Sequence, residues 1–276
     1  HFRLIFEEFF WLECGLAFKR EQARKADGIR FELTDGIREK LKLMLPFKPT
    51  GAQKRVLGEI AQDMAAPQPM NRLLQGDVGS GKTLVAAEAA VIAIENGYQC
   101  VLLAPTEILA TQHHLAFKRL FAKLNYPVIL LTGSQSAKEK ATLKRMIAEG
   151  IVKMIIGTHA VLTENVEFRN LGLAIVDEQH RFGVMQRLKL FEKGVHPDVL
   201  VMTATPIPRT LALTIYGDLD TSLIDEMPPG RIPIKTVHVP EQQVAKAWKL
   251  VREQLQQGRQ AYVVYPVIEE AETVSM

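Results

Sequence analysis

The chain has 276 residues, 47% apolar and 24% charged, and its 34 Lys and Arg against 31 Asp and Glu leave a net charge of +3. That composition excludes a disordered chain, and the length allows one large domain or two small ones. No apolar run reaches the ~18 residues of a membrane span; the longest, Leu84 to Ile94, is interrupted by Glu88. The small basic excess neither establishes nor excludes a nucleic-acid partner, because a local stripe of charge counts for more than the sum. Cys14 and Cys100 stand alone in apolar stretches and fit neither a disulfide frame nor zinc spacing, so both are expected as buried, reduced thiols. The chain opens on His1, and HFRLIFEEFF is acidic where a secretory signal is basic. The expectation is a piece of a longer cytoplasmic protein.

Phe2, Ile5, Phe6, Phe9, Leu12, Leu16 and Ala17 recur at helical spacing and predict an amphipathic helix over residues 2–26. A second helix is expected from Asp35 to Leu45, stopped by Pro46. From Asn71 to Asp225 short apolar runs alternate with helical patterns: RLLQG, CVLLAP, VILLTG, KMIIGTH, LAIVDE, VLVMTA and TSLIDE. Strands that read as continuous apolar runs are buried on both faces, as in a parallel sheet covered by helices. The expected fold is α/β, a doubly wound parallel sheet. After the turn cluster Met227 to Arg231, a strand (Ile234–Val239), a helix (Glu241–Gln257) and a strand (Gln260–Ile268) predict the start of a second α/β domain.

Gly76-Asp77-Val78-Gly79-Ser80-Gly81-Lys82-Thr83 fits G-x-x-x-x-G-K-[ST], with a strand before it and a strong helix, Lys82–Glu95, after it. Such a loop curls so that its N–H groups face phosphate oxygens, and the helix N-terminus adds partial positive charge. Lys82 is expected on the β- and γ-phosphates and the Thr83 hydroxyl on Mg²⁺. The alternative is a glycine-rich turn that merely caps a helix. Asp177 ends the strand Leu173–Val176, where an acid beside a phosphate loop holds Mg²⁺, and Glu178 follows it, placed to activate water. Thr106, Thr132-Gly133-Ser134, Thr158-His159 and Thr203-Ala204-Thr205 close further strands. Singly each is a helix N-cap; together they suit a second phosphate-rich ligand, a nucleic-acid backbone. Thr50-Gly51-Ala52-Gln53 reads two ways. T-x-x-Q is a capping box, and a Gln amide also pairs bidentately with adenine; the local pattern leaves both open.

In this order the motifs resemble a superfamily 2 helicase, and most closely the RecG family of ATP-dependent DNA branch-migration helicases. The resemblance rests on FKPTGAQ (47–53), MNRLLQGDVGSGKTLVA (70–86), APTEILATQH (104–113), IIGTHA (155–160), VDEQHRFGVMQR (176–187), MTATPIPRT (202–210), PPGR (228–231) and GRQAYVVYPVIEE (258–270). The resemblance implies a helical link from an upstream wedge domain over residues 1–45, a first RecA-like motor domain over 46–230 and the start of a second over 231–276. It implies ATP and Mg²⁺ as cofactors and branched DNA (stalled forks, Holliday junctions) as partner, with no membrane role. Gln53 would read adenine with Phe47 near the base, and Gly76, Gly79, Ser80, Gly81, Lys82 and Thr83 would hold phosphate. Thr83 and Asp177 would hold the metal, Glu178 would activate water, and Gln179 and His180 would sense the γ-phosphate. Thr106, Gly133, Thr158 and His159 would touch the DNA backbone, and Thr203 and Thr205 would couple nucleotide state to DNA grip. An arginine of the second motor domain and the wedge domain are expected outside the chain, so slow turnover is expected of it alone. A transcription-repair coupling translocase shares TATPIPRT but differs after its DE pair. A nucleotide-binding module without turnover is the other alternative. No N-K-x-D guanine motif supports a GTPase.

Overall fold

A computed structural model describes residues 27–45, 47–163, 165–177, 193–194, 196–205, 219–228 and 236–264, together with 6–7, 10–11 and 14–15. Each apolar run is a strand: β1 (Asn71–Gly76), β2 (Gln99–Leu103), β3 (Val128–Leu131), β4 (Met154–Gly157), β5 (Leu171–Asp177), β6 (Asp198–Thr203) and β7 (Asp220–Ile224). They form one sheet in the order β3-β4-β2-β5-β6-β1-β7, with every neighbouring pair parallel. Parallel neighbours need crossover connections. The chain supplies helices α1 (Asp35–Met44), α2 (Gly51–Ala65), α3 (Lys82–Glu95), α4 (Glu107–Leu120) and α5 (Ala137–Ala148).

Side chains alternate across a strand, so β1 to β6 feed two cores, whereas β7 at the sheet edge buries residues on one face alone. Leu74, Cys100, Leu102, Met154, Ile156, Leu173, Ile175, Leu200 and Met202 pack on one face with α1, α2, α3 and α4. Leu73, Val101, Ile155, Ala174, Val176, Val199 and Val201 pack on the other with Ile147 of α5. The sheet is therefore doubly wound, as the sequence predicts. The helix α3 is buried from Leu84 to Ile94, because it crosses the middle of the sheet beneath its neighbours; a helix apolar on all sides is a core helix.

Local chemistry sets the helix starts. The hydroxyls of Thr34, Thr50, Thr106 and Ser136 accept from N–H groups three residues on, those of Ile37, Gln53, Leu109 and Glu139. Each satisfies one of the donors that a helix start leaves without a partner. In α1 the residues Ile37, Leu41 and Met44 recur at i, i+4 and i+7 and are buried; each contributes roughly 1.5–3 kcal/mol by leaving water. Lys40 of α1 pairs with Glu95 at the end of α3, which also accepts from the Tyr126 hydroxyl. Burial raises the Glu95 carboxyl, but the bonds from Lys40 and Tyr126 outweigh it and hold the group below its ordinary value.

Two expectations need correction. Cys14 is exposed, whereas Cys100 is buried, its Sγ 3.5 Å from the Ala90 carbonyl oxygen. The described residues around Cys14 are helical, but Phe6, Phe10 and Trp11 stack on one another with their surfaces still exposed and do not enter the core. Residues Arg231–Met276 form a compact unit of their own, separate from His1–Gly230. In it a single 3₁₀ turn (Glu241–Gln243) leads into α6 (Val244–Gln256), close to the predicted helix. Of the strands expected over Ile234–Val239 and Gln260–Ile268, the described residues 236–239 and 260–264 form no ladder, and the remaining residues lie outside the described ones. A strand exists through its neighbours, and two parallel strands with one helix bury too little to hold each other; α6 accordingly has no buried residue.

Candidate active site

The phosphate loop leaves β1 and enters α3. Gly79 and Gly81 have φ of 81° and 99°, the left-handed region that glycine adopts without steric cost. Gly81 is required twice over, since a Cβ there would lie 2.2 Å from the Gln53 amide nitrogen. At Gly76 a Cβ would meet the Ser80 hydroxyl at 2.7 Å and Ile224 at 3.2 Å. Ser80 is buried, and its Oγ has no hydrogen-bond partner among the described residues. The Lys82 Nζ lies along the loop and donates to the carbonyls of Gly76 (2.7 Å) and Asp77 (3.0 Å). Thr83, half-buried, sits in the first turn of α3.

Gln53 is fully buried and makes both arms of a capping box: its N–H donates to Thr50 Oγ1 (3.2 Å), and its Oε1 accepts from the Thr50 N–H (3.0 Å). Its Nε2 also donates to the Ser80 carbonyl at 2.7 Å. One side chain thus closes the start of α2 and braces the phosphate loop 27 residues away. The start of α2 is tied to the end of β7 as well: Glu226 accepts from the Ala52 N–H, and Arg55 donates to the Leu223 carbonyl and Asp225. Phe47 is half-exposed just before this helix.

The Asp177 carboxylate ends β5 on the face that carries α3, because Ile175 and Leu173, two and four residues earlier, point to that core. It accepts from the His113 Nε2 of α4 at 2.6 Å. Sequence reasoning missed His113: the pair is 64 residues apart and no spacing announces it. Thr203 Oγ1 accepts from the Thr205 N–H (3.2 Å) and lies 3.1 Å from its hydroxyl. Thr203 is level with Gln75 of β1, so it stands beside the phosphate loop's root. Glu178, Gln179 and His180 lie outside the described residues.

Strand order divides these residues into two groups. The loop after β1, Asp177 on β5 and Thr203 on β6 belong to three adjacent strands, β5-β6-β1. Thr106, Gly133, Thr158 and His159 follow β2, β3 and β4, which are also adjacent. In that second group Thr106 caps α4, and Glu107 accepts from the Ser134 N–H (3.0 Å) and hydroxyl (2.6 Å). The Ser134 bonds hold the Glu107 carboxyl below its ordinary value. Lys140 donates to the Gly133 carbonyl. The Thr158 hydroxyl is buried without a partner among the described residues, and His159 is exposed.

A phosphate loop, an acid at the end of a strand in the same group and a fully parallel doubly wound sheet define a nucleotide-dependent motor fold of the RecA-like kind. Residues 50–214, more than half the chain, match the DEAD/DEAH box helicase family, to which the chain belongs. Within it the similarity is to RecG. The chain is 48% identical over 275 residues to an ATP-dependent DNA helicase RecG of Synechocystis sp., covering 99% of this chain and 33% of that protein. It is 51% identical to the RecG of Escherichia coli strain K12, covering 98% and 40%. A solved structure of RecG bound to a three-way DNA junction superposes with a TM-score of 0.85 at 45% identity, over 96% of this chain and 36% of that one. The chain thus spans about a third to two-fifths of the length of these relatives.

Proposed function

We propose that the chain carries the nucleotide-binding motor of a RecG-type, ATP-dependent DNA helicase that remodels branched DNA in the cytoplasm. The observation that carries this reading is the phosphate loop with Asp177 on the face of its helix. Residues 46–230 are the motor domain in this reading, with 1–45 as the helical link and 231–276 as the start of a second motor domain. Loop N–H groups and Lys82 bind the nucleotide phosphates. The donor set also fits Mg²⁺, since the Thr83 hydroxyl at the start of α3 and the Asp177 carboxylate at the end of β5 both offer oxygen. Mg²⁺ typically takes one or two protein oxygens beside phosphate and water, here Thr83 and Asp177. When bound, it would neutralise charge on the phosphates. Glu178 activates water, and Gln179 and His180 sense the γ-phosphate. Thr106, Gly133, Thr158 and His159 meet the DNA backbone, and Thr203 and Thr205 couple the two ligands.

Adenine reading by Gln53 is part of the proposal, with Phe47 near the base. Pairing with adenine would exchange the bonds to Thr50 and Ser80, so base and loop would be sensed by one amide. Replacing Gln53 by Glu does not isolate that role, because a carboxylate would then face the Ser80 carbonyl. The cleaner test is calorimetric titration with Mg²⁺ and ATP of the wild type and Lys82→Ala. Removing the loop's charged hydrogen-bond partner should cost ~2–5 kcal/mol of binding. Equal ATP affinity in both proteins would remove the assignment.

A further inference from the structure

We infer that His113 is the positioning residue for Asp177: it fixes the carboxylate that holds the metal, and it does so across the boundary between the two strand groups. This rests on the Mg-nucleotide reading of the loop. Both side chains are nearly buried, 12% and 13% exposed, with Nε2 and Oδ2 2.6 Å apart. A carboxylate only accepts, so the proton of the bond belongs to Nε2. The His113 bond is made to Oδ2, and the cation is assigned to Oδ1. Without His113 the carboxylate would be free to turn about its side-chain torsions.

The placement follows from the fold. Helical side chains lean toward the helix N-terminus. His113, in the second turn of α4, therefore reaches back toward the end of the sheet where α4 begins. The strand before α4 is β2, and its neighbour is β5, with Leu103 level with Val176. One hydrogen bond thus links the helix that Thr106 caps, about 10 Å up its axis, to the last residue of β5. The adjacent His114 serves a different purpose, its Nε2 lying 3.2 Å from the Val128 carbonyl.

Hydrogen-bond partners of metal ligands are worth about 10–100-fold in metal affinity, and this sets the test. The affinity of a non-hydrolysable ATP analogue is measured with chelator present and along a Mg²⁺ titration, for wild type, His113→Asn and His113→Gln, with thermal unfolding recorded for each. Asn is too short to reach Asp177, whereas Gln places an amide N–H at similar reach. The expected result is a Mg²⁺ midpoint raised about 10–100-fold in His113→Asn, largely recovered in His113→Gln, with metal-free affinity unchanged in both. An unmoved midpoint in His113→Asn, or an equal loss of metal-free binding, would overturn the inference while leaving the nucleotide site standing. A wild type that binds the analogue with no Mg²⁺ dependence would instead overturn the metal reading on which it rests.

Discussion

Asp177 and Asp198 are carboxylates on adjoining strands, one closing β5 and the other opening β6. Asp177 is 9% exposed and hydrogen-bonded to His113. Asp198 is fully buried; its Oδ1 accepts from the Met70 N–H at 2.7 Å, and its Oδ2 has no partner. Burial pushes Asp198 up to about 8, the Met70 bond opposes this, and the charge of Asp63 adds to it. Near that end of the sheet charge is consumed by the fold: Arg72 ties Asp63, Glu59 and Ser222 together, joining α2 to β1 and β7. The same residue type therefore does opposite jobs at the two ends. At the C-terminal end strands open into loops and helix starts, and a carboxylate can meet a ligand. At the N-terminal end it meets only other protein groups and is held in its neutral form.

Removing the charge from each should separate these jobs. Asp177→Asn should weaken Mg²⁺ in the nucleotide complex at least as much as the loss of an outer partner does, about 10–100-fold. Asp198→Asn should leave that affinity unchanged; metal titrations of both variants check it. A second effect is expected in stability. The folded Asp198 keeps its proton to about pH 8 while the unfolded group loses it near 3.8. Its contribution is therefore full below about pH 4 and is lost as the pH rises to about 8, by up to ~1.4 kcal/mol per pH unit. Asp198→Asn abolishes that slope, so denaturant midpoints should converge with the wild type at low pH and favour the variant progressively toward pH 8. A difference that grows toward acid would break the comparison. The smallest effect is expected at Thr106, a C-terminal-end residue whose hydroxyl is used by the fold. Thr106→Ala should cost about 1 kcal/mol as a lost N-cap, and Thr106→Ser should restore it, both read from chemical denaturation.

Another acid within the core behaves like Asp198. Glu88 lies inside α3, 2% exposed, and burial pushes it up to about 7. The sequence shows it only as a break in an apolar run. That one carboxyl interrupts Leu84 to Ile94 is legible in the chain, but whether water reaches it depends on what packs over α3.

What the sequence by itself determined is local. The apolar runs became the strands of the described sheet; β2, β4, β5 and β6 are buried on both faces as the runs imply, whereas β7 at the edge is half exposed. The spacing of Gly76, Gly79, Gly81 and Lys82 defined the loop, because only glycine supplies its left-handed turns. The helix from Lys82 to Glu95 follows from its five alanines with Leu84, Glu88 and Glu95 and from the absence of any Gly or Pro within it. The tertiary structure decided what lies beside what. The order β3-β4-β2-β5-β6-β1-β7 sorts the strand ends into two groups that run out of sequence order. It also brings His113 to Asp177 and joins Gln53 both to Thr50 and to Ser80. Propensity and periodicity act over a few residues, whereas these pairings are set by how crossover helices pack on the sheet. The capping box of Gln53 could therefore be read from T-x-x-Q, while the bond from its other arm could not.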